Sequence, residues 1–227
     1  DLSRSEYEAM VARVIDYIHA GDIFQANVSQ RLLADMPDGL SPMMLYRRLR
    51  ALSPAPFGAF FRVGDMTVVS ASPERFLSLN AEGYAVSRPI KGTRPRGRTP
   101  EDDEALANAL LASEKDQAEN LMIVDLMRND LSRVCRLGSV GVSELAGLES
   151  FANVHHLVSE VRGPLFPNLG PVDLLRATFP GGSITGAPKI RAMEIINELE
   201  PVRRGPYCGS IAWIGFDGAM DSSIVIR

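Results

Sequence analysis

Residues Phe57 to Ser87 read FGAFFRVGDMTVVSASPERFLSLNAEGYAVS. Four short runs within this stretch have strand character: residues 57–63, 67–71, 75–79 and 84–87. They are rich in β-branched and aromatic residues, and turn residues such as Gly, Asp and Asn separate them. Upstream, residues 3–20 form an amphipathic helix, with Tyr7, Met10, Val11, Val14, Ile15 and Ile18 at helical spacing and Gly21 closing it. Residues 24–33 alternate as a strand does, and residues 42–52 read as a short helix. Downstream, a long helical stretch starts at Thr99 or Pro100 and runs to about Arg133, its acidic first turn (Glu101 to Glu104) suited to a helix N-terminus. Residues 139–149 and 151–161 look like strands, 171–177 like a short helix, 181–188 like a loop and 187–199 like a helix with Pro188 near its first turn. Residues 207–216 and 222–227 close as strands around Asp217-Gly218. Clusters of strands interrupted by helices favour one α+β domain over residues 1–227 rather than a regular βαβ alternation.

The bulk properties bound the function. With 227 residues, 45% apolar and 23% charged, the chain reads as an ordinary soluble globular protein. A net charge of −4 argues against a nucleic-acid partner. Cys135 and Cys208 form neither a disulfide framework nor a metal spacing, so a reduced, cytoplasmic protein is expected. No signal peptide and no apolar run of membrane-spanning length is present, so no membrane partner is expected. Both ends look cut: the chain opens in a capped helix and stops at Arg227 inside a strand-like run.

The segment Arg88-Pro89-Ile90-Lys91-Gly92-Thr93-Arg94-Pro95-Arg96-Gly97 gathers one lysine and three arginines among two prolines and two glycines. It reads as a shaped loop of concentrated positive charge, suited to an anionic small molecule. The competing reading is a solvated basic loop. Lys91 stands out, because flanking cations and partial burial both lower a lysine's pKa and make it a nucleophile near neutral pH. Glu74, after an X-Pro step at a strand–loop junction, suits a general acid if burial raises its pKa; pairing with Arg75 is the plainer alternative. Asp116 and Glu119 lie three apart on a helix and face one way, with Asp125 and Asp130 further along. Hard carboxylate oxygens on a stiff helix suit Mg²⁺, which takes one or two protein carboxylates plus substrate oxygens and waters; a solvated acidic face is the alternative. His155 and His156 are neighbours on a strand and point to opposite faces, one toward a pocket and the other toward solvent. Residues 179–189 lead into a helix with hydroxyls and exposed N–H groups, an anion site without the order of a Walker loop. Together these describe chemistry on a small polycarboxylate assisted by Mg²⁺.

These segments resemble the chorismate-utilising enzymes, the family that includes the anthranilate, aminodeoxychorismate, isochorismate and salicylate synthases. The motifs at 71–76, 89–97, 119–131, 156–159, 179–194 and 224–227 occur in the family's order, so the likeness runs from about Gly21 to Arg227. The resemblance implies an α+β fold of packed antiparallel β-sheets flanked by helices, truncated here at both ends. Lys91 decides the subgroup: anthranilate synthases resemble this loop but carry alanine there, whereas aminodeoxychorismate synthases carry lysine. Isochorismate and salicylate synthases use a lysine base in the strand that here reads Phe24-Gln25-Ala26-Asn27-Val28, where none occurs.

Carried over residue by residue, the resemblance implies that Lys91 attacks C2 of chorismate and Glu74 protonates the departing C4 hydroxyl. Ammonia from a glutamine amidotransferase then enters at C4, giving 4-amino-4-deoxychorismate. Glu119 is implied as a Mg²⁺ ligand, and Asp116 as the holder of a metal-bound water. Gly92 and Thr93 are implied to contact substrate, and His156, not His155, to be the pocket histidine. Ser183, Tyr207 and Arg227 resemble the groups that hold chorismate carboxylates, while Lys189 supports that network. The family's N-terminal segment and C-terminal tail, with a second metal-binding glutamate, fall outside residues 1–227. Arg227 is therefore expected to be loosely held. The rival readings are an anthranilate synthase component and a non-catalytic chorismate-binding module.

Overall fold

The computed structural model describes residues 1–227. In chain order the elements are α1 (Arg4–His19), β1 (Gln25–Ala26), α2 (Pro42–Leu52), β2 (Phe57–Val63), β3 (Met66–Ser72), β4 (Arg75–Leu79), β5 (Tyr84–Ser87) and β6 (Ile90–Pro95). Then follow α3 (Pro100–Leu111), α4 (Glu114–Ser132), β7 (Gly141–Ser150), β8 (Val154–Pro164), α5 (Pro171–Thr178), β9 (Gly186–Ala187), α6 (Lys189–Leu199), β10 (Ser210–Ile214) and β11 (Met220–Ile224). The α+β class expected from the sequence holds. Contacts divide the chain into two compact units, each built from discontinuous segments. Strands β10 and β11 each begin in one unit and end in the other.

The first unit comprises Asp1–Arg75, Ile184–Ala212 and Ser222–Arg227. Its helix α1 starts at a capping box: Ser3 Oγ accepts from the Glu6 N–H while the Glu6 carboxylate accepts from the Ser3 N–H at 2.7 Å. Val14 and Ile23 pack on Ala192 and Ile195 of α6, with Tyr17, Ala26, Val28 and Leu199 around them. Strands β2 and β3 form an antiparallel hairpin closed by Gly64-Asp65, with Gly64 at φ +57°. A left-handed residue at such a two-residue turn is where glycine belongs. The strand expected over 24–33 shrinks to β1, because only the two residues of β9 pair with it. Past Asn27, whose N–H still reaches the Thr185 carbonyl at 2.7 Å, the ladder stops, and Leu32 and Leu33 stand exposed.

The second unit comprises Phe76–Ser183 and Trp213–Asp221. Strand β8 is its spine. Antiparallel β7 follows one edge; β6 meets the other edge over Val154–Val158 and β5 over Val161–Pro164. Helix α4 packs on this sheet through Ile123, Val124, Met127 and Leu131, with Asn120 and Asp130 buried beside them. The Asn120 amide donates to the Leu157 carbonyl at 3.3 Å, and its oxygen accepts from the Ser159 hydroxyl. A buried amide needs such partners, so this bond fixes the helix against β8.

Two expectations change here. The basic segment is a strand rather than a loop: Pro89 precedes it, Pro95 ends it, and Gly92 sits at φ +90° where the ladder register shifts between Ile90 and Thr93. Prolines at strand ends and a glycine at a bulge are compatible with a sheet. The single long helix is two. Ala112 caps α3, and Ser113 starts α4 by accepting from the Asp116 N–H at 3.3 Å. The strands expected at 151–161, 207–216 and 222–227 are present but displaced or shortened to β8, β10 and β11.

Candidate active site

Strand β6 carries three of the expected residues in a row. Lys91 is half-buried and donates from Nζ to the Ser183 carbonyl at 3.2 Å. Ser183 lies in a 3₁₀ turn, Gly182–Ile184. Thr93 stands opposite His156 in the ladder, and Thr93 Oγ1 lies 2.8 Å from His156 Nδ1. The His156 ring is buried and packs against Phe151, centroids 5.6 Å apart. Between Lys91 and Thr93, a side chain on Gly92 would begin 3.1 Å from Asp116 Cβ and from Leu110 Cδ1. Glycine therefore serves twice there, for its left-handed backbone and for the close approach to α3 and α4. The structure brings Lys91 together with Ser183, Thr93 with His156, and Gly92 with Asp116.

The concentrated positive charge read from 88–97 is largely neutralised by the protein itself. Arg88 meets Glu149, Glu160 at 3.4 Å and Glu144 at 3.5 Å. Arg94 pairs with Asp116 at 2.9 Å, and Arg96 pairs with Asp103 at 2.6 Å. Partly buried charges need partners, and these arginines find carboxylates on β7, β8, α3 and α4. Lys91 instead meets a backbone carbonyl, which leaves its nitrogen available for chemistry.

Asp116 and Glu119 do share a face of α4, both partly buried. Burial pushes the Asp116 carboxyl up, but the Ser113 hydrogen bond and the Arg94 guanidinium outweigh it, and the net direction is down. Glu119 meets only the outlying end of Lys115, at 3.7 Å. Asp125 is exposed and pairs with Arg128 at 2.9 Å, so it belongs to solvated surface. No group of three or more His, Cys, Asp or Glu side chains converges as a cage. Mg²⁺ needs no such cage, since it takes one or two carboxylates plus substrate oxygens and waters. The donor set fits that mode, with Glu119 the more available oxygen and Asp116 held by Arg94.

Both histidines are buried, 2% and 1% exposed, which corrects the expectation that one faces solvent. Each face of β8 is covered at this point. His155 reaches Asp103 of α3 and Ser150 of β7, while His156 reaches Thr93 of β6.

Glu74, Tyr207 and Arg227 belong to the first unit. Glu74 is 6% exposed, and its carbonyl accepts from the Ile224 N–H at 3.1 Å. Tyr207 and Arg227 line one open pocket of about 290 Å³ together with Val68, Ser70 and Val225. The Arg227 carbonyl accepts from the Ala71 N–H at 2.5 Å, so its backbone is tied down rather than loosely held. Burial pushes the Tyr207 hydroxyl up, and the Cys208 thiol adds to it, so the phenol stays a donor at neutral pH.

Sequence reasoning missed Arg204. It binds Glu200 at 2.6 Å and donates to the carbonyls of Ile184 at 2.9 Å and Asn27 at 2.5 Å. Ser29 donates to the same Glu200 carboxylate at 2.8 and 3.0 Å. The four-residue spacing of Glu200 and Arg204 was the available signal. Arg94 was also missed as the partner of Asp116, and no local spacing announces that pair.

A family model described as chorismate binding enzyme matches residues 1–227. Aminodeoxychorismate synthase component 1 of Klebsiella aerogenes is 52% identical over 227 residues, covering 100% of this chain and 50% of that protein. Anthranilate synthase component 1 of Thermus thermophilus is 48% identical over 227 residues, covering 100% and 48%. The crystal structure of anthranilate synthase component I from Streptococcus pneumoniae TIGR4 superposes with a TM-score of 0.90 at 41% identity, covering 100% of this chain and 49% of that one. The chain spans about half the length of the curated relatives it matches.

Proposed function

The chain belongs to the chorismate binding enzymes, and from that membership we propose that it aminates chorismate at C4, giving 4-amino-4-deoxychorismate for para-aminobenzoate and folate synthesis. The observation that carries this reading is Lys91, on β6 with its nitrogen against the Ser183 carbonyl. The Ser183 carbonyl fixes one side of this nitrogen and leaves its other side to face a substrate. That nitrogen attacks C2, both ring double bonds shift, from C1=C2 to C1=C6 and from C5=C6 to C4=C5, and the C4–O bond breaks. Glu74 supplies the proton that lets the oxygen leave as water, because hydroxide is a poor leaving group. Ammonia then adds at C4, both double bonds shift back, and the C2–N bond breaks to restore Lys91, while the proton shed by the new C4 nitrogen replaces the one Glu74 gave. One difficult substitution is thereby split into two easier ones.

Around these steps the residues bind and orient. Thr93, fixed by His156, and Gly92 line the lysine strand; Ser183, Tyr207 and Arg227 receive carboxylates. Glu119 would hold Mg²⁺ and Asp116 a water on it; when bound, the ion neutralises the ring carboxylate. Ammonia comes from a glutamine amidotransferase component, as the component 1 names of the relatives suggest. Two free cysteines fit a cytoplasmic protein, and no helix is long and apolar enough to cross a membrane.

The test is incubation of the protein with chorismate and ammonium, with and without Mg²⁺, and identification of the product by mass and ultraviolet spectrum. Aminodeoxychorismate supports the reading. Anthranilate moves the protein to the neighbouring subgroup, and unchanged chorismate makes it a binding module.

A further inference from the structure

Strand β6 ends at Pro95, and the next two residues are held by a cluster that the proposed chemistry leaves unused. Asp103, in the first turn of α3, meets four donors. These are Arg96 Nε at 2.7 Å, Arg96 Nη2 at 2.6 Å, the Gly97 N–H at 2.7 Å and His155 Nε2 at 2.9 Å. The Arg96 guanidinium, then the Gly97 N–H, hold the Asp103 carboxyl far below the usual range, so it is a carboxylate. His155 Nε2 therefore carries the hydrogen and donates. Its Nδ1 lies 2.7 Å from Ser150 Oγ, so the second ring nitrogen is hydrogen-bonded too. Arg96 also donates from Nη1 to the Phe151 carbonyl at 2.8 Å and from its N–H to the Asn153 carbonyl at 3.2 Å. Phe151 is the residue whose ring packs on His156. A side chain on Gly97 would begin 2.5 Å from Asp103 Cα, so strand and helix touch here backbone to backbone.

This joint has one face toward the lysine strand. His155 and His156 are consecutive on β8 and point oppositely, one to Asp103 and one to Thr93. The strand is thus gripped at Thr93 and again at Arg96 and Gly97, on either side of Arg94 and Pro95. A merely space-filling position would take an apolar residue; a buried imidazole with both nitrogens bonded specifies one arrangement instead.

We propose that His155 is a positioning residue for Lys91 and Thr93, acting through Asp103 to lock the exit of β6. The inference rests on the reading of Lys91 as the nucleophile. Misplacing a reacting group by about 1 Å costs on the order of 10²-fold in rate.

The experiment compares His155→Ala, His155→Gln and Gly97→Ala with the wild-type protein, by steady-state kinetics with chorismate and ammonium and by hydrogen–deuterium exchange. We expect His155→Ala to lower kcat by about 10- to 100-fold with KM kept within about threefold. Peptides covering 88–97 exchange faster, while those covering α6 do not change. His155→Gln, whose amide can still donate to Asp103, recovers most of the rate. Gly97→Ala, which strains the same joint without touching the histidine, reproduces both effects. Unchanged exchange over 88–97, an increase spread evenly over the protein, or a wild-type kcat in His155→Ala each overturn the proposal. If the wild-type protein forms no aminodeoxychorismate, the amination reading fails by itself, and the exchange contrast still decides the clamp.

Discussion

Two cationic segments of this chain look alike on paper and behave differently in the fold. In residues 88–97 the arginines answer carboxylates carried by other elements, and one lysine is left against a carbonyl. In residues 200–208, Arg204 answers the neighbouring Glu200 and gathers the carbonyls of Ile184 and Asn27. The first arrangement uses distant ion pairs to shape the strand that carries the proposed nucleophile. The second uses a near pair, only 14% and 6% exposed, to tie backbone segments together. Arginine, always charged and forked, serves as a fastener in both. Lys91, by contrast, fastens no carboxylate and is the residue to which we assign the chemistry.

That contrast can be broken at several points. The largest effect is expected from Lys91→Ala, which removes C4 amination to below detection by product mass while the thermal midpoint stays near wild type. Undiminished aminodeoxychorismate would erase the distinction between the lysine and its arginine neighbours. Glu74→Gln keeps the shape but not the proton, and kcat is expected to fall by about 10²–10⁴-fold with KM retained. Impaired chorismate binding at a normal rate would make Glu74 structural. Arg204→Ala strands Glu200 in a poorly solvated place, and urea unfolding is expected to show a loss of about 3–5 kcal/mol. A loss below about 1 kcal/mol would mean the pair fastens nothing.

Arg94→Ala sharpens the comparison through pH. The Asp116 carboxyl is depressed in the folded state, so the stability it contributes is present above the unfolded value near 3.9. That contribution is lost as pH falls through the lower folded value. Without Arg94, burial acts with less opposition, and the drop in melting temperature between about pH 5 and about pH 3 becomes shallower. A steeper drop would assign the depression to another neighbour. The smallest effect belongs to Arg128→Ala, whose pair with Asp125 is exposed; its stability is expected within about 0.5 kcal/mol of wild type.

The sequence made the order of the chemistry-bearing segments readable, and with it the family and the fold class. Lys91, Thr93 and His156 could be singled out as candidates because their motifs are local, and the fold sets Thr93 against His156. The arginine pairs were not, because Arg94 and Asp116 stand 22 residues apart, and only the fold joins them. The segment 88–97 read as a loop because proline and glycine break ladders in general; here they stand at the strand's ends and at its irregularity. Ser113 hid the break between α3 and α4, since a serine within a helical pattern does not declare itself a cap until its hydroxyl is seen on the Asp116 N–H. Residues 24–33 alternated correctly, but alternation does not supply a partner strand.

The shift of register in β6 has a bearing on how the strand divides its work. Ile90 faces Val158 and Thr93 faces His156, so two residues, 91 and 92, stand opposite one on β8. The backbone at 91 and 92 therefore stands outside the regular ladder. On the proposed reading the residue that does the chemistry sits at that irregularity, so the pairing that builds the sheet and the reaction it serves are specified by different residues.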